Sequence, residues 1–170
     1  MPQHETIAAI ATPPGTGGIG VLRLSGENAL AIGESLCRSE ISPGLIQFRR
    51  FFDAGGELLD HGICLYFKAP HSFSGEDCVE IQAHGGPIIL DMLLERLCEL
   101  GTRLARPGEF SERAFLNGKL DLTQAEAIAD LIESGSRAAT RAAIRSLEGR
   151  FSQQVHSLVE EIINLRVFIE

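Results

Sequence analysis

The chain has 170 residues, 44% of them hydrophobic, and a formal net charge of −8. That length fits one domain, or one domain with an appendage, and the apolar share is enough for a core. Residues 1–118 carry 9 Lys+Arg against 15 Asp+Glu and residues 119–170 carry 6 against 8, so neither part favours nucleic-acid binding by bulk charge.

Four cysteines, Cys37, Cys64, Cys78 and Cys98, form no C-x-x-C pair and no tight His/Cys cluster. They read as buried reduced thiols of a cytoplasmic protein, with no metal site expected. The opening MPQHETIAAIATPPG lacks the charged and apolar regions of a secretory leader, and no apolar run reaches membrane-spanning length.

In chain order, Thr6–Thr12 reads as a strand stopped by Pro13-Pro14-Gly15, and Gly20–Leu24 as a second short strand. Asn28–Arg38 has partial helical spacing in Leu30, Ile32 and Leu36. Leu45–Asp53 and Leu58–Phe67 are apolar strands, joined by the hairpin signal Ala54-Gly55-Gly56. After a loop from Lys68 to Gly75, Cys78–Ala83 alternates, with Val79 and Ile81 on one side and Glu80 and Gln82 on the other. Pro87–Leu100 is a helix, with Pro87 suited to its first turn and Gly101 to its end. Strands arrive mainly in adjacent pairs with helices between them. The expected class is therefore α+β, a mixed, largely antiparallel sheet with packed helices, followed by a helical segment.

The stretch from Leu104 to Asp130 holds a Pro-Gly turn, a short helix, a loop bearing Lys119 and a new helix start. Thr123-x-x-Glu126 matches a capping box opening a helix to about Ser134. From Ser136 a long helix is expected, with Leu147, Phe151, Val155, Leu158, Ile162, Leu165 and Ile169 forming one apolar stripe. The stripe lacks a partner in this sequence, so the chain reads as part of something longer or as packing on another subunit. The expected division is 1–118 for the sheet domain and 119–170 for the start of a helical domain.

Several side chains are candidates for chemistry. Gly15-Thr16-Gly17-Gly18-Ile19-Gly20 fits G-x-G-x-x-G, but a strand rather than a helix follows, so it reads as a flexible glycine loop. Gly118-Lys119 is followed by Leu120, and no G-x-x-x-x-G-K-[ST] occurs; nucleotide hydrolysis by this chain alone is not expected. Glu80 is either a solvent-facing strand residue or a carboxylate gripping two parallel N–H donors of a guanidine-like heterocycle edge, such as a pterin. Arg23, the lone cation in GVLRLSG, is either a plain outward residue or a partner for an acidic tail or ring oxygen. Lys119 is ordinarily an exposed loop lysine, but it stands at a domain junction, where pockets concentrate. His84-Gly85-Gly86-Pro87 would let a ligand approach the backbone closely, and His84 reads as a structural hydrogen-bonder. Arg137, Arg141 and Arg145 share one helix face, solvated by default or lying along RNA phosphate.

Five blocks together resemble one family along nearly the whole chain. They are Thr6-Ile7-Ala8-Ala9-Ile10-Ala11-Thr12-Pro13-Pro14-Gly15, Arg23-Leu24-Ser25-Gly26, Ser72-Phe73-Ser74-Gly75-Glu76-Asp77, His84-Gly85-Gly86-Pro87, and Arg106-Pro107-Gly108-Glu109-Phe110-Ser111-Glu112-Arg113-Ala114-Phe115-Leu116-Asn117 running into Lys119-Leu120-Asp121-Leu122 and Gln124-Ala125-Glu126-Ala127. The chain thus resembles the N-terminal part of the tRNA-modification GTPases of the MnmE (TrmE) family.

The resemblance implies a fold similar to the tetrahydrofolate-binding domain of the glycine-cleavage T-protein. It implies binding of 5-formyl- or 5,10-methylene-tetrahydrofolate, cytoplasmic location and homodimerisation. By motif it places folate contacts on Arg23, Glu80 and Lys119, with no catalytic or metal-binding residue in this chain. GTP, Mg and K belong to a Ras-like G domain that the sequence does not include. The family partner is the FAD-containing MnmG (GidA), with which aminomethyl or carboxymethylaminomethyl groups are installed at C5 of the wobble uridine in tRNA. Thr16 departs from the family, which commonly has arginine there. A dimerisation or scaffold module without folate binding is the alternative reading; a stand-alone aminomethyltransferase fits poorly in so short a chain.

Overall fold

The structure, a computed structural model, describes residues 5–149, 155 and 157–163. The chain divides into two compact units, Met1–Arg113 and Ala114–Glu170.

The first unit is built on six strands: β1 (Ile7–Ile10), β2 (Gly20–Ser25), β3 (Ile46–Phe52), β4 (Leu58–Phe67), β5 (Cys78–Ala83) and β6 (Arg103–Leu104). They lie in the order β3-β4-β5-β2-β1-β6. Every neighbouring pair is antiparallel except β1 with β6, which is parallel. Two helices complete the core, α1 (Ala29–Cys37) and α2 (Pro87–Glu99). The mixed, largely antiparallel sheet expected from the sequence is what forms.

Alternation along the strands sorts side chains between two faces. Leu22, Leu24, Val79, Ile81, Cys64 and Phe51 are buried in one cluster with Ile32 and Leu36 of α1 and Leu90, Leu93 and Leu97 of α2. The alternate residues Val21, Arg23, Glu80, Gln82, Ile63 and Leu65 are half-buried. On the outer strand of that second face, Ile46 and Phe48 are 75% and 65% exposed. Buried Cys37 and Cys64 lie with their sulfurs 3.4 Å apart. The contact with the Cys64 thiol, and burial, push the Cys37 thiol up, away from thiolate.

Strand β6 has only two residues and is absent from the sequence-based expectation. Its pairing is tertiary. The Arg103 and Ala105 N–H groups donate to the Thr6 and Ala8 carbonyls at 2.9 Å each. Glu109, at the start of α3 (Glu109–Leu116) and only 3% exposed, locks this edge. Arg103 Nη2 and Nη1 reach its two carboxylate oxygens at 2.8 and 3.1 Å. The Arg106 N–H donates to Oε2 at 2.7 Å, and Arg103 Nε donates to Glu5 at 2.8 Å. The Arg103 guanidinium, more than burial opposes it, holds the Glu109 carboxyl down at about 2.

The second unit contains α4 (Leu122–Glu133) and α5 (Arg137–Leu147). The helix start differs from the expected Thr123-x-x-Glu126 box. Asp121 is the N-cap: it accepts from the Gln124 N–H at 2.8 Å, and the Gln124 side chain accepts from the Asp121 N–H at 2.9 Å. Aspartate ranks above threonine as an N-cap, and the earlier start leaves Thr123 and Glu126 inside the helix. The long helix expected from Ser136 also differs. It stops at Leu147, with Glu148 as C-cap and Gly149 at φ +76°. Gln124 Nε2 donates to the freed Leu147 carbonyl at 2.9 Å. Leu147 therefore closes α5. Val155, Leu158 and Ile162 of the proposed stripe are exposed, and Phe151, Leu165 and Ile169 lie outside the described residues. Among the described residues no helix is long and apolar enough to cross a membrane.

Two outcomes follow from this packing. A Cβ at Gly62 would be driven into the Gln82 carbonyl oxygen, where backbone faces backbone, so Gly62→Ala should cost about 2–3 kcal/mol in urea denaturation. Glu109→Gln should cost about 1–3 kcal/mol at pH 7 by the same measurement. Because the folded-state value is depressed, the Glu109 contribution is full above the ordinary carboxyl value of 4.5 and disappears as pH falls towards about 2. The gap between wild type and Glu109→Gln should therefore close across that window.

Candidate functional site

Strands β2 and β5 are antiparallel neighbours, and their register sets Arg23 directly opposite Glu80. Both project from the second face of the sheet, with side chains 27% and 17% exposed. Arg23 Nε donates to Glu80 Oε1 at 2.9 Å, and Nη2 reaches the same oxygen at 2.7 Å. Oε2 accepts no hydrogen bond among the described residues, so half of the carboxylate remains open as an acceptor.

Two aromatic rings flank the guanidinium. Its central carbon lies 5.2 Å from the Phe73 ring centre and 5.8 Å from that of Phe110. Such contacts stabilise a partly desolvated cation and fix its plane. Each ring is held by local structure. Phe73 sits in the loop before β5, where the Ser74 hydroxyl lies 2.6 Å from that of Ser25. Ser25 also donates to Glu76 Oε2 at 2.7 Å, and Arg113 Nη1 donates to that oxygen at 2.8 Å. Arg113 Nη2 donates to the Glu5 carbonyl at 2.8 Å, which ties α3, and with it Phe110, to the chain before β1.

The glycine loop lies beside β5. The Gly17 N–H donates to the Gly85 carbonyl at 2.9 Å. A Cβ at Gly85 would meet the Gly17 and Ile19 carbonyl oxygens at 2.6 and 2.7 Å. The close approach that His84-Gly85-Gly86 was expected to offer a ligand is thus used at Gly85 by another backbone segment. A shallow cavity of ≈ 270 Å³ opens beside it, between Ile19, Phe48, Ile63 and the rings of His61 and His84. His84 Nδ1 lies 2.7 Å from Asp60 Oδ1, and the His84 N–H donates to Oδ2 at 2.9 Å. Burial pushes the Asp60 carboxyl up, but hydrogen bonds from the His84 backbone and ring outweigh it and hold it below the usual range. His84 is a hydrogen-bonder pinning β5 to β4, as its sequence context implies.

The first unit thus brings two predicted residues, Arg23 and Glu80, into direct contact. Lys119 belongs to the second unit, in the turn after α3, where its N–H donates to the Ala114 carbonyl at 2.8 Å and Gly118 takes φ +68°. Sequence reasoning missed Phe73 and Phe110 as flanking rings and Glu76 and Arg113 as their supports. Each lies in a quoted family block, yet no local pattern signals a contact with Arg23. Among the described residues, no group of three or more His, Cys, Asp or Glu could hold a metal ion.

Comparison with known proteins places these features in context. Residues 6–119 match the family described as "GTP-binding protein TrmE N-terminus", and residues 122–170 match "MnmE helical domain". The chain is 57% identical over 167 residues to a protein of Saccharophagus degradans named tRNA modification GTPase MnmE, covering 98% of this chain and 37% of that protein. Like-named proteins of Stutzerimonas stutzeri and Marinobacter nauticus are 56% and 58% identical over 170 residues, covering all of this chain and 37% of each relative. The chain therefore spans little more than a third of the length of the relatives it matches.

The pairing predicts energetic coupling between the two strands. A double-mutant cycle of Arg23→Ala and Glu80→Ala, read by urea denaturation, should give a coupling energy of about 1–2 kcal/mol. Arg23→Lys should recover only part of it, because a lysine keeps the charge but not the planar contact with the two rings.

Proposed function

Because the chain belongs to the MnmE (TrmE) family, we propose that it is the folate-binding and dimerisation part of a tRNA-modification GTPase, together with the first helices of its helical domain. The observation that carries this reading is the Arg23–Glu80 pair, with one carboxylate oxygen left open and the guanidinium set against two aromatic rings.

That arrangement suits a reduced folate. A pterin edge presents two parallel N–H donors, and a carboxylate is the matching acceptor. Glu80 Oε2, with both of its lone pairs unused among the described residues, is the oxygen open to such donors, while Oε1 is taken by the two Arg23 nitrogens. Arg23 fixes the Glu80 rotamer through two nitrogens, so the acceptor is positioned before a ligand arrives, which lowers the ordering cost of binding. Its positive charge would suit a ring oxygen or the acidic tail of such a ligand. Lys119 is assigned to folate contact on the strength of the family motif. The role of these residues is holding and orienting; when bound, a 5-formyl- or 5,10-methylene-tetrahydrofolate supplies the one-carbon unit. Placing that donor close to a partner's reacting centre is proximity catalysis.

In this reading the whole protein hydrolyses GTP in a G domain that uses Mg and K, and works in the cytoplasm with an FAD-containing MnmG (GidA) partner on C5 of the tRNA wobble uridine. Homodimerisation is supported by the apolar side chains of Ile46 and Phe48 on edge strand β3 and of Ile19 in the glycine loop, each well over half exposed. Such a surface calls for cover. The same surface favours the alternative, a dimerisation module without folate.

Calorimetry of the full-length protein with 5-formyltetrahydrofolate separates the two. Folate binding that falls about tenfold to a hundredfold in Glu80→Ala is the expected result. Unchanged affinity in that variant removes Glu80 from the site, and no binding by a dimeric wild type leaves the scaffold reading.

A further inference from the structure

Helix α5 has the sequence RAATRAAIRSL, three arginines and no acid. Arg137, Arg141 and Arg145 are all exposed. None makes a hydrogen bond or ion pair among the described residues. In the first unit Arg23, Arg96, Arg103, Arg106 and Arg113 each engage a carboxylate within 3 Å, Arg38 and Arg49 donate to backbone carbonyls, and exposed Arg50 has no side-chain partner among the described residues. In a chain of net charge −8, unpaired arginines are not explained by a shortage of partners.

Acids are in fact close at hand in the second unit. Glu126, Asp130 and Glu133 lie exposed along α4. The two helices form an antiparallel hairpin: Gln124 at the start of α4 meets Leu147 at the end of α5, and the Ser134 and Thr140 hydroxyls meet at 2.8 Å by the turn. The buried seam carries alanines, Ala127 and Ala143. The acids and the basic row are thus segregated onto separate helices, and no salt bridge joins them among the described residues. Segregated like charges raise the energy of the free surface, and an oppositely charged partner relieves it.

We propose that Arg137, Arg141 and Arg145 form a contact surface for the phosphate backbone of an RNA, reading one strand by charge and not by base. This rests on the proposed function, in which the parent protein acts on tRNA. Residues four apart on a helix rise about 6 Å per step, so the row presents three guanidinium groups separated by two steps of about that size. That step is close to the separation of successive phosphates along one RNA strand. Arginine's planar fork matches phosphate oxygens two at a time. Between the arginines lie Ala138, Ala139 and Ala142, all exposed and too small to keep a backbone away. A protein partner would call for a buried apolar or aromatic anchor, and the only large apolar residue in α5 that is well exposed is Ile144. The overall acidity of the chain means that the contact is local, made after docking, and does not steer association from afar.

The test uses the full-length protein and a fluorescently labelled tRNA, with anisotropy read over a salt series. In the triple variant Arg137→Ala/Arg141→Ala/Arg145→Ala, affinity should fall roughly tenfold to a hundredfold near 0.1 M salt, and the slope of log K against log salt should shrink by about 2–3. A triple lysine variant should restore most of the slope, since phosphate responds to point charge. GTP hydrolysis without RNA and the thermal melting point should stay at wild-type values, which excludes unfolding as the cause. Unchanged affinity and slope in the alanine variant, or no tRNA binding by the wild type, overturns the proposal. So does a variant that loses only its protein partner in pull-down with purified subunits. Failure of the functional reading looks different: the wild type with its partner would leave tRNA unmodified.

Discussion

One buried carboxylate organises much of the first unit. Glu109 is taken from water and held by the Arg103 guanidinium and the Arg106 N–H, and these bonds tie the last strand, the turn after it and the start of α3 to one point. A charge so placed is stable only while its partners stay. With the pair intact, β6 seals the edge of β1 and α3 leaves the sheet in a fixed direction. That direction puts Phe110 beside Arg23 and Arg113 beside Glu76.

The candidate site inherits its rigidity from this arrangement. Arg23 and Glu80 stand on neighbouring central strands, so backbone hydrogen bonds fix their separation. Phe73 and Phe110 arrive from a loop and a helix, each secured by hydroxyl and carboxylate bonds. A long, flexible cation is thereby held in one plane with few rotamers to lose on binding. The open Glu80 oxygen is the product of this order: Arg23 approaches side-on and uses only Oε1.

Parts of this were legible without coordinates. Alternation in CVEIQA separates Val79 and Ile81 from Glu80 and Gln82, and the burial of the strand follows it. Gly101, Pro87 and the Ala54-Gly55-Gly56 turn mark element ends because their backbone preferences are local. Misreadings arose where two local signals competed. Asp121-x-x-Gln124 and Thr123-x-x-Glu126 both fit a capping box two residues apart, and the better N-cap residue decided. The apolar spacing through Leu147 reads as one continuous helix, but Gly149 in a left-handed conformation ends α5 before the rest of the stripe. Strand β6 left no signal, since two residues have no period.

The amino-acid order alone determined the α+β class, most strands and helices, the family blocks carrying Arg23 and Lys119, and the strand alternation that sets Glu80 apart from Val79 and Ile81, because periodicity, caps and turns act over a few neighbouring residues. Tertiary structure alone decided that Arg23 meets Glu80 across 57 positions of chain, that Gly85 faces a glycine loop, and that Glu109 is the anchor of an edge. Those contacts depend on strand order and register, which are set by how the whole apolar set is buried at once and not by any segment read by itself.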